Sequence, residues 1–345
     1  MAKRKAPARR KPLPQEQMLG LLTGHWISQM LFTVAKLGVP DALGTRALAP
    51  DAIAQRVGAN AAYLGRVLRA LASCGVFQED ARGRFKLTTL GKTLRSGPGS
   101  VRDFALMIVA PYQYQSWEAL LEAVQKGKTA FDLKHGLPNF DYLKAHPDDD
   151  RQFSASMAAI SGTENEAVAR AYPFARHTRL VDVGGAHGHL LATILRRNKK
   201  LRGVLYDQTQ VVAGAAASGF VSAPGVRERC EVVGGSFFDS VPAGADAYLM
   251  KYIIHDWDDA KCVRILGHCR DAMAPGGRVL VVDRVIQPGN APDWSKWLDI
   301  QMLVGPGGQE RNQAEFAALF ASAGLKLVRA HPTQGPLTVL EAERA

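Results

Sequence analysis

An α/β protein with a mostly parallel sheet, preceded by a mainly helical N-terminal region, is predicted by three observations. From Arg179 onward, strand-like apolar runs alternate with helical ones, the pattern of a sheet covered on both faces. Before that point, from Gln17 to Tyr172, most apolar residues recur at helical spacing. The chain of 345 residues, 47% apolar and 22% charged, is long enough for about two domains with sizeable cores.

Composition removes several classes. Mean hydropathy near zero excludes a fibrous or low-complexity chain. No apolar run approaches the ~18 residues of a membrane span. The basic N-terminus has no apolar stretch behind it, so a cytoplasmic protein is expected. Cys74, Cys230, Cys262 and Cys269 form no metal-binding or disulfide spacing. Of the formal charge of +11, six units come from the first eleven residues, MAKRKAPARRK. Residues 1–16 read as a disordered basic arm, either a solvated tail or a weak polyanion binder.

The segment Gln17–Leu37 carries Met18, Leu21, Leu22, Trp26, Met30, Leu31, Val34 and Leu37 at helical spacing, with Leu19, Ile27 and Phe32 widening the apolar stripe. A helix apolar on most sides needs a partner, either a second copy of the chain or its own domain. A short helix after Pro50 and Asp51 follows, then one over Ala61–Ser73 with Leu64, Val67, Leu68 and Leu71 on one face. The stretch VFQEDARGRFKLT reads as two strands around a turn at Ala81–Gly83. Together these form a winged helix. The second helix offers only Arg66 and Arg69 to a DNA groove, so a structural or dimerising role is favoured over DNA binding. Residues 101–172 are mainly helical, and Phe153 and Met157 share a helix face, as core packing or as a wall of an apolar ligand pocket.

Seven strands are expected: RLVDVGG, LRGVLYD, CEVVGG, DAYLMKYII, GRVLVVDRVI, LKLVRAHP and PLTVLEAE, with helices between the first five. The last two, separated by Gly335 and Pro336, form an antiparallel hairpin at the sheet's edge. The run Asp182 to Gly188, DVGGAHG, ends a strand and opens a helix, where open α/β sheets bind nucleotides. Its adjacent glycines depart from the dinucleotide fingerprint, and Asp182 opposes a pyrophosphate but suits a cationic amino group. Asp207 ends the second strand, where an acid accepts from ribose hydroxyls; a turn and a strand-end cap are the plainer alternative.

The sequence resembles the S-adenosylmethionine-dependent O-methyltransferases of the plant caffeate type and their bacterial relatives acting on antibiotics and pigments. The resemblance rests on LVDVGGAHGHL, YD at 206–207, VVGGSFFDSVP, MKYIIHDWDD, APGGRVLVVDRVI and GPGGQERNQAEF. It reaches back through RVLRALASCGVF and the Trp117–Met157 segment, covering nearly the whole chain after the basic arm. It implies a Rossmann-like class I methyltransferase domain at 176–345 with a seven-stranded sheet. A winged-helix dimerisation domain is implied at 17–100, and a helical linker and substrate-pocket region at 101–175. A homodimer follows.

The resemblance places the cofactor S-adenosylmethionine on Asp182, Gly184, Gly188, Asp207, Lys251, Ser236 and Phe237, and the aromatic substrate near Phe153 and Met157. At Ser236 the family usually has an acid facing the adenine amino group; a hydroxyl stands in for it, directly or through water. The general base falls on His255, whose ordinary pKa near ~6.5 suits taking a proton from a phenol. Glu310 matches a family carboxylate that orients this histidine. Asp283 stands where the family commonly has Glu, and its shorter reach calls for a water. Asp256 reads as a loop or helix cap rather than a catalytic group. His187 lies close enough in sequence to touch the cofactor; His189 and Trp257 carry less. Transfer from a sulfonium needs no metal, so none is expected. The reaction implied is methylation of a hydroxyl on an aromatic small molecule. The rivals are N- or C-methylation by proximity alone, or a DNA-binding regulator that senses the cofactor; nucleic acid and membrane are not expected partners.

Overall fold

The computed structural model describes residues 12–97 and 99–345, with the backbone alone for 161–163. Most of the expected basic arm lies outside the described residues, and its last three residues belong to a helix that starts at Pro14. The chain divides into two compact units, Met1–Ala110 and Pro111–Ala345. The boundary lies ten residues beyond the expected 100/101 because the helix Arg102–Ile108 packs on the helix Gly24–Lys36.

In the first unit the single stripe expected over Gln17–Leu37 is two helices, Pro14–Leu22 and Gly24–Lys36, bent by 42°. The break falls at Thr23, whose hydroxyl donates back to the Leu19 carbonyl at 2.7 Å. Met18, Leu19, Leu21, Leu22 and Trp26 stay exposed on this chain. No single described helix is long and apolar enough to cross a membrane. The helices Pro50–Val57 and Ala61–Ser73 precede strands β1 (Phe77–Glu79) and β2 (Phe85–Leu87), paired antiparallel. The hairpin turn is tied by the Asp80 carboxylate, which accepts from the amides of Arg82 and Arg84 at 2.9 and 3.0 Å. Leu64, Leu68, Leu71, Phe77 and Phe85 close one core, so the winged helix expected from the pattern is present.

The second unit opens with short helices and the long helix Pro147–Ala171, then builds the sheet. Its strands are β3 (Arg179–Val183), β4 (Arg202–Asp207), β5 (Cys230–Gly234), β6 (Ala247–Lys251), β7 (Arg278–Asp283), β8 (Leu325–Pro332) and β9 (Thr338–Arg344). The order is β5-β4-β3-β6-β7-β9-β8, with the first five parallel and the β8/β9 hairpin antiparallel. Alternate residues feed two cores, as the period of two in a strand dictates. Val181, Tyr248, Met250 and Val281 face the helices Asp259–Ala272 and Gln313–Ser322. Leu180, Leu249, Leu280 and Val282 face the helix His189–Arg197 and the end of the long helix. Between β5 and β6 no helix is present, contrary to expectation; the connection is a loop that carries Ser236 and Phe237. Strand order reverses between β3 and β6, which opens a crevice beyond their C-terminal ends.

Candidate active site

Two segments leave the sheet at that crevice. After β3 the glycine loop turns through Gly184 at φ +71° and Gly188 at φ +77°. A side chain at Gly184 would collide with Ile253, and one at Gly188 with Val221, so only glycine fits both the angle and the space. Asp182, 2% exposed, holds its Oδ2 buried without a hydrogen-bond partner among the described residues. Burial, with Asp207 adding repulsion and Lys251 opposing, pushes its carboxyl up to about 7. A carboxylate with one unpartnered oxygen beneath a glycine cradle can receive an ammonium group.

Asp207 accepts from the amides of Ala186 and Gln208 at 2.8 and 2.7 Å, which holds the loop against the end of β4. The Ser236 hydroxyl oxygen accepts from the Phe238 amide at 3.2 Å and keeps a second lone pair for an amino group. His187 lies across from Gly214, and His189 stacks on Phe220 at 4.2 Å.

After β6 the chain does not continue as strand to Ile254 as the apolar run implies. Tyr252 turns at φ +56°, and Ile254–Asp256 form a short 3-10 turn that lifts His255 off the sheet. His255 is 7% exposed, and its Nδ1 lies 2.6 Å from Glu310 Oε1. Its Nε2 lies 3.4 Å from Asp256 Oδ1, and Tyr252 stacks on its ring at 5.1 Å. Burial would lower the imidazole pKa, but Asp256, Glu310 and Asp283 together push it up to about 10.

One expectation changes here. The cap of the helix Asp259–Ala272 is Asp258, which accepts from the Lys261 amide at 2.9 Å, and Asp256 instead faces the imidazole. Asp283 is fully buried, and neither of its carboxylate oxygens has a direct hydrogen-bond partner among the described residues. Burial pushes its carboxyl up to about 8.

The segment that delivers Glu310 is pinned beneath the histidine turn. The Gln309 amide donates to the His255 carbonyl at 2.9 Å, and a side chain at Gly308 would strike that carbonyl. Arg311, 1% exposed, donates to the carbonyls of Ile254 and Trp257 at 3.2 and 3.1 Å and pairs with Asp259 at 2.6 Å. It bolts both ends of the turn to the next helix. Nothing in the sequence marks it, because a buried arginine is rare.

Lys251 at the end of β6 is buried against the long helix, donating to Asn165 at 2.8 Å and lying 3.5 Å from Glu164. Burial lowers its pKa, with Glu164 opposing. Glu164 also takes the Tyr252 hydroxyl at 3.0 Å. It went unnoticed in the sequence, although it lies seven residues after Met157 on the same helical face. A carboxylate inside an apolar stripe was the signal.

Phe153 and Met157 are half-buried on that helix. Phe153 meets Phe140 at 6.4 Å, and Phe140 meets Trp257 at 5.4 Å. Trp257 in turn packs edge-on against Phe237 and Phe238 at 6.2 and 4.9 Å. It therefore joins the Ser236–Phe237 corner to the apolar wall, a role its sequence context did not reveal.

Comparison with known proteins gives a consistent picture. Residues 117–326 match the model of an O-methyltransferase domain, and residues 19–97 match that of an O-methyltransferase dimerisation domain. The chain is 41% identical to the phenazine O-methyltransferase PhzM of Lysobacter antibioticus, covering 94% of this chain and 95% of that one. It is 35% identical to an 8-amino-8-demethylriboflavin N,N-dimethyltransferase of Streptomyces davaonensis, covering 91% of each. It aligns with the crystal structure of CalO1, a methyltransferase in calicheamicin biosynthesis, in its SAH-bound form. That match has a TM-score of 0.85 at 35% identity, over 97% of this chain and 100% of the other.

Proposed function

Because the chain belongs to the O-methyltransferase family, we propose that it methylates a hydroxyl of an aromatic small molecule with His255 as general base. It is an S-adenosylmethionine-dependent methyltransferase, and the reading adds the acceptor atom, the base and a homodimer formed through the exposed N-terminal helices. No nucleic-acid or membrane partner enters it. The observation that carries it is the buried Glu310–His255–Asp256 line at the reversal of strand order.

The residues at the glycine loop fit the cofactor. Asp182 would accept from its amino group, Asp207 would take its ribose hydroxyls, and Ser236 and Phe237 would hold its adenine. Gly184 and Gly188 let the backbone approach, and Lys251 sits at the floor. When bound, S-adenosylmethionine supplies an electrophilic methyl on a cationic sulfonium.

Glu310 fixes the ring through Nδ1 and so leaves Nε2, with Asp256 beside it, to meet an acceptor hydroxyl. Asp256 and Glu310 beside the ring raise the basicity of the imidazole toward the range of a phenol, whose pKa is near ~10. Proton transfer from phenol to His255 is then close to balanced. A neutral imidazole with a phenol and an imidazolium with a phenolate are the same complex with the proton moved. Once the proton is on Nε2, Asp256 and Glu310 hold the imidazolium. Phe153, Met157, Phe140 and Trp257 offer apolar surface for an aromatic ring, and much of the rate comes from holding it at attack distance.

One observation favours a second reading, N-methylation. An imidazole with a pKa near 10 holds its proton at neutral pH, and an amine acceptor needs no base for its first methylation. Replacing His255 with Ala separates the two. O-methylation is expected to lose about 100-fold to 10,000-fold in kcat while SAH still binds. An unchanged kcat overturns the proposal.

A further inference from the structure

Tyr252, where the chain leaves β6 toward His255, holds a backbone conformation that a bulky side chain rarely adopts, at φ +56°. Among the described residues Ala186, in the glycine loop, is the one other non-glycine residue with a positive φ. Such conformations persist where the surroundings over-determine them, and they gather at functional sites. The Tyr252 amide donates to the Val282 carbonyl at 3.1 Å, which ties the backbone to β7. Its hydroxyl donates to Glu164 at 3.0 Å and has Arg284 as a second partner. Burial, with Glu164 adding, raises the phenol pKa, so the hydroxyl keeps its proton and stays a donor. Lys251 lies 5.2 Å from the centre of the same ring.

Between these two anchors the Tyr252 ring lies 5.1 Å from the His255 imidazole, with 28° between the planes. Glu310 and Asp256 meet that imidazole at its two nitrogens, in its edge. Contacts at the edge leave a ring free to tilt, and a second, anchored ring across its face removes that freedom. Glu164 belongs to the long helix Pro147–Ala171, which also carries Phe153 and Met157. We propose that Tyr252 is a positioning residue for the base: tied through its hydroxyl to Glu164, it backs the face of His255 and fixes the direction of Nε2. The helix that offers apolar surface to the acceptor thereby also sets the base. The proposal rests on the functional reading above and adds what holds its base in line.

Ring-nitrogen NMR of the histidine-labelled, SAH-loaded protein tests the assignment, with His255 identified by the signals that vanish in His255→Gln. In the wild type the His255 ring is expected to give one sharp set of signals. Tyr252→Phe, which keeps the aromatic face but cuts the anchor, should broaden or split them, and Tyr252→Leu, which removes the face as well, should do so further. With a monohydroxyphenazine as the probe acceptor, kcat should fall about tenfold in Tyr252→Phe, because small misplacements at the reacting atoms are costly. KM and SAH affinity should stay unchanged. His255 signals that remain sharp and single in Tyr252→Phe overturn the proposal. So does a raised KM at constant kcat, which assigns Tyr252 to acceptor binding, or weakened SAH binding, which marks a structural role. If the His255 ring is released but O-methylation is undiminished, the functional reading falls and the positioning role stands.

Discussion

Nδ1 of His255 lies 2.6 Å from Oε1 of Glu310 across 55 residues of chain. The two meet because the Gly308–Arg311 segment runs directly under the histidine turn. Glu310→Gln keeps the shape but removes the charge that holds the imidazolium. Its kcat is expected to fall about 100-fold, the low end of what a general base contributes. SAH affinity, read by calorimetry, should not change; a parallel loss of SAH binding contradicts an orienting role.

The high pKa of His255 sets a pH profile. With an acceptor of pKa near ~10, kcat/KM should rise about tenfold per pH unit from neutrality until the lower of the two pKa values is reached. Asp256→Asn removes a charge that raises the imidazole pKa, so the rising limb should move to lower pH. A limb that stays in place rules Asp256 out as the cause. The same shift bears on stability. The raised pKa contributes fully below about 6.5, and the contribution is lost as pH rises through about 10. Melting curves of wild type and His255→Gln should therefore converge with rising pH.

Much of this was legible in the sequence because it depends on local pattern. The seven strands follow from apolar alternation, and the winged helix from Leu64, Leu68 and Leu71 on one face. Gly184 and Gly188 are recognisable because their positive φ excludes side chains. What escaped depends on distance in space. The missing β5/β6 helix leaves no mark in composition, and Tyr252 breaks its strand with a left-handed turn that an apolar run conceals. Asp256 was taken for a cap because Asp258, two residues on, offers the same chemistry to a helix. Glu164 and Arg311 gain meaning only from partners 88 and 52 residues away.

Asp182 carries the clearest prediction for the cofactor. Its carboxyl, pushed up to about 7, must ionise to pair with an ammonium. SAH affinity should therefore increase as pH rises from 6 through about 7. Asp182→Asn should bind more weakly and lose this pH dependence between 6 and about 7. Persistence of the slope in the variant would assign it to another group.

Arg311 is expected to be a positioning residue. Arg311→Lys keeps the charge but cannot reach the Ile254 carbonyl, the Trp257 carbonyl and Asp259 together. Each buried carbonyl left unpaired costs about 1 to 3 kcal/mol. The melting temperature should fall, and kcat should fall further than KM rises. If kcat is untouched while stability drops, the bolt holds the fold but not the histidine.

The most direct test of the central claim is where the methyl group goes. Methyl-labelled S-adenosylmethionine is supplied with aromatic acceptors bearing both hydroxyl and amino groups, and products from wild type and His255→Ala are located by NMR and mass spectrometry. The label should appear on oxygen in the wild type and be lost with His255→Ala. Label on nitrogen, or an O-methyl product formed as fast without the imidazole, contradicts base catalysis by His255 and leaves positioning to carry the reaction.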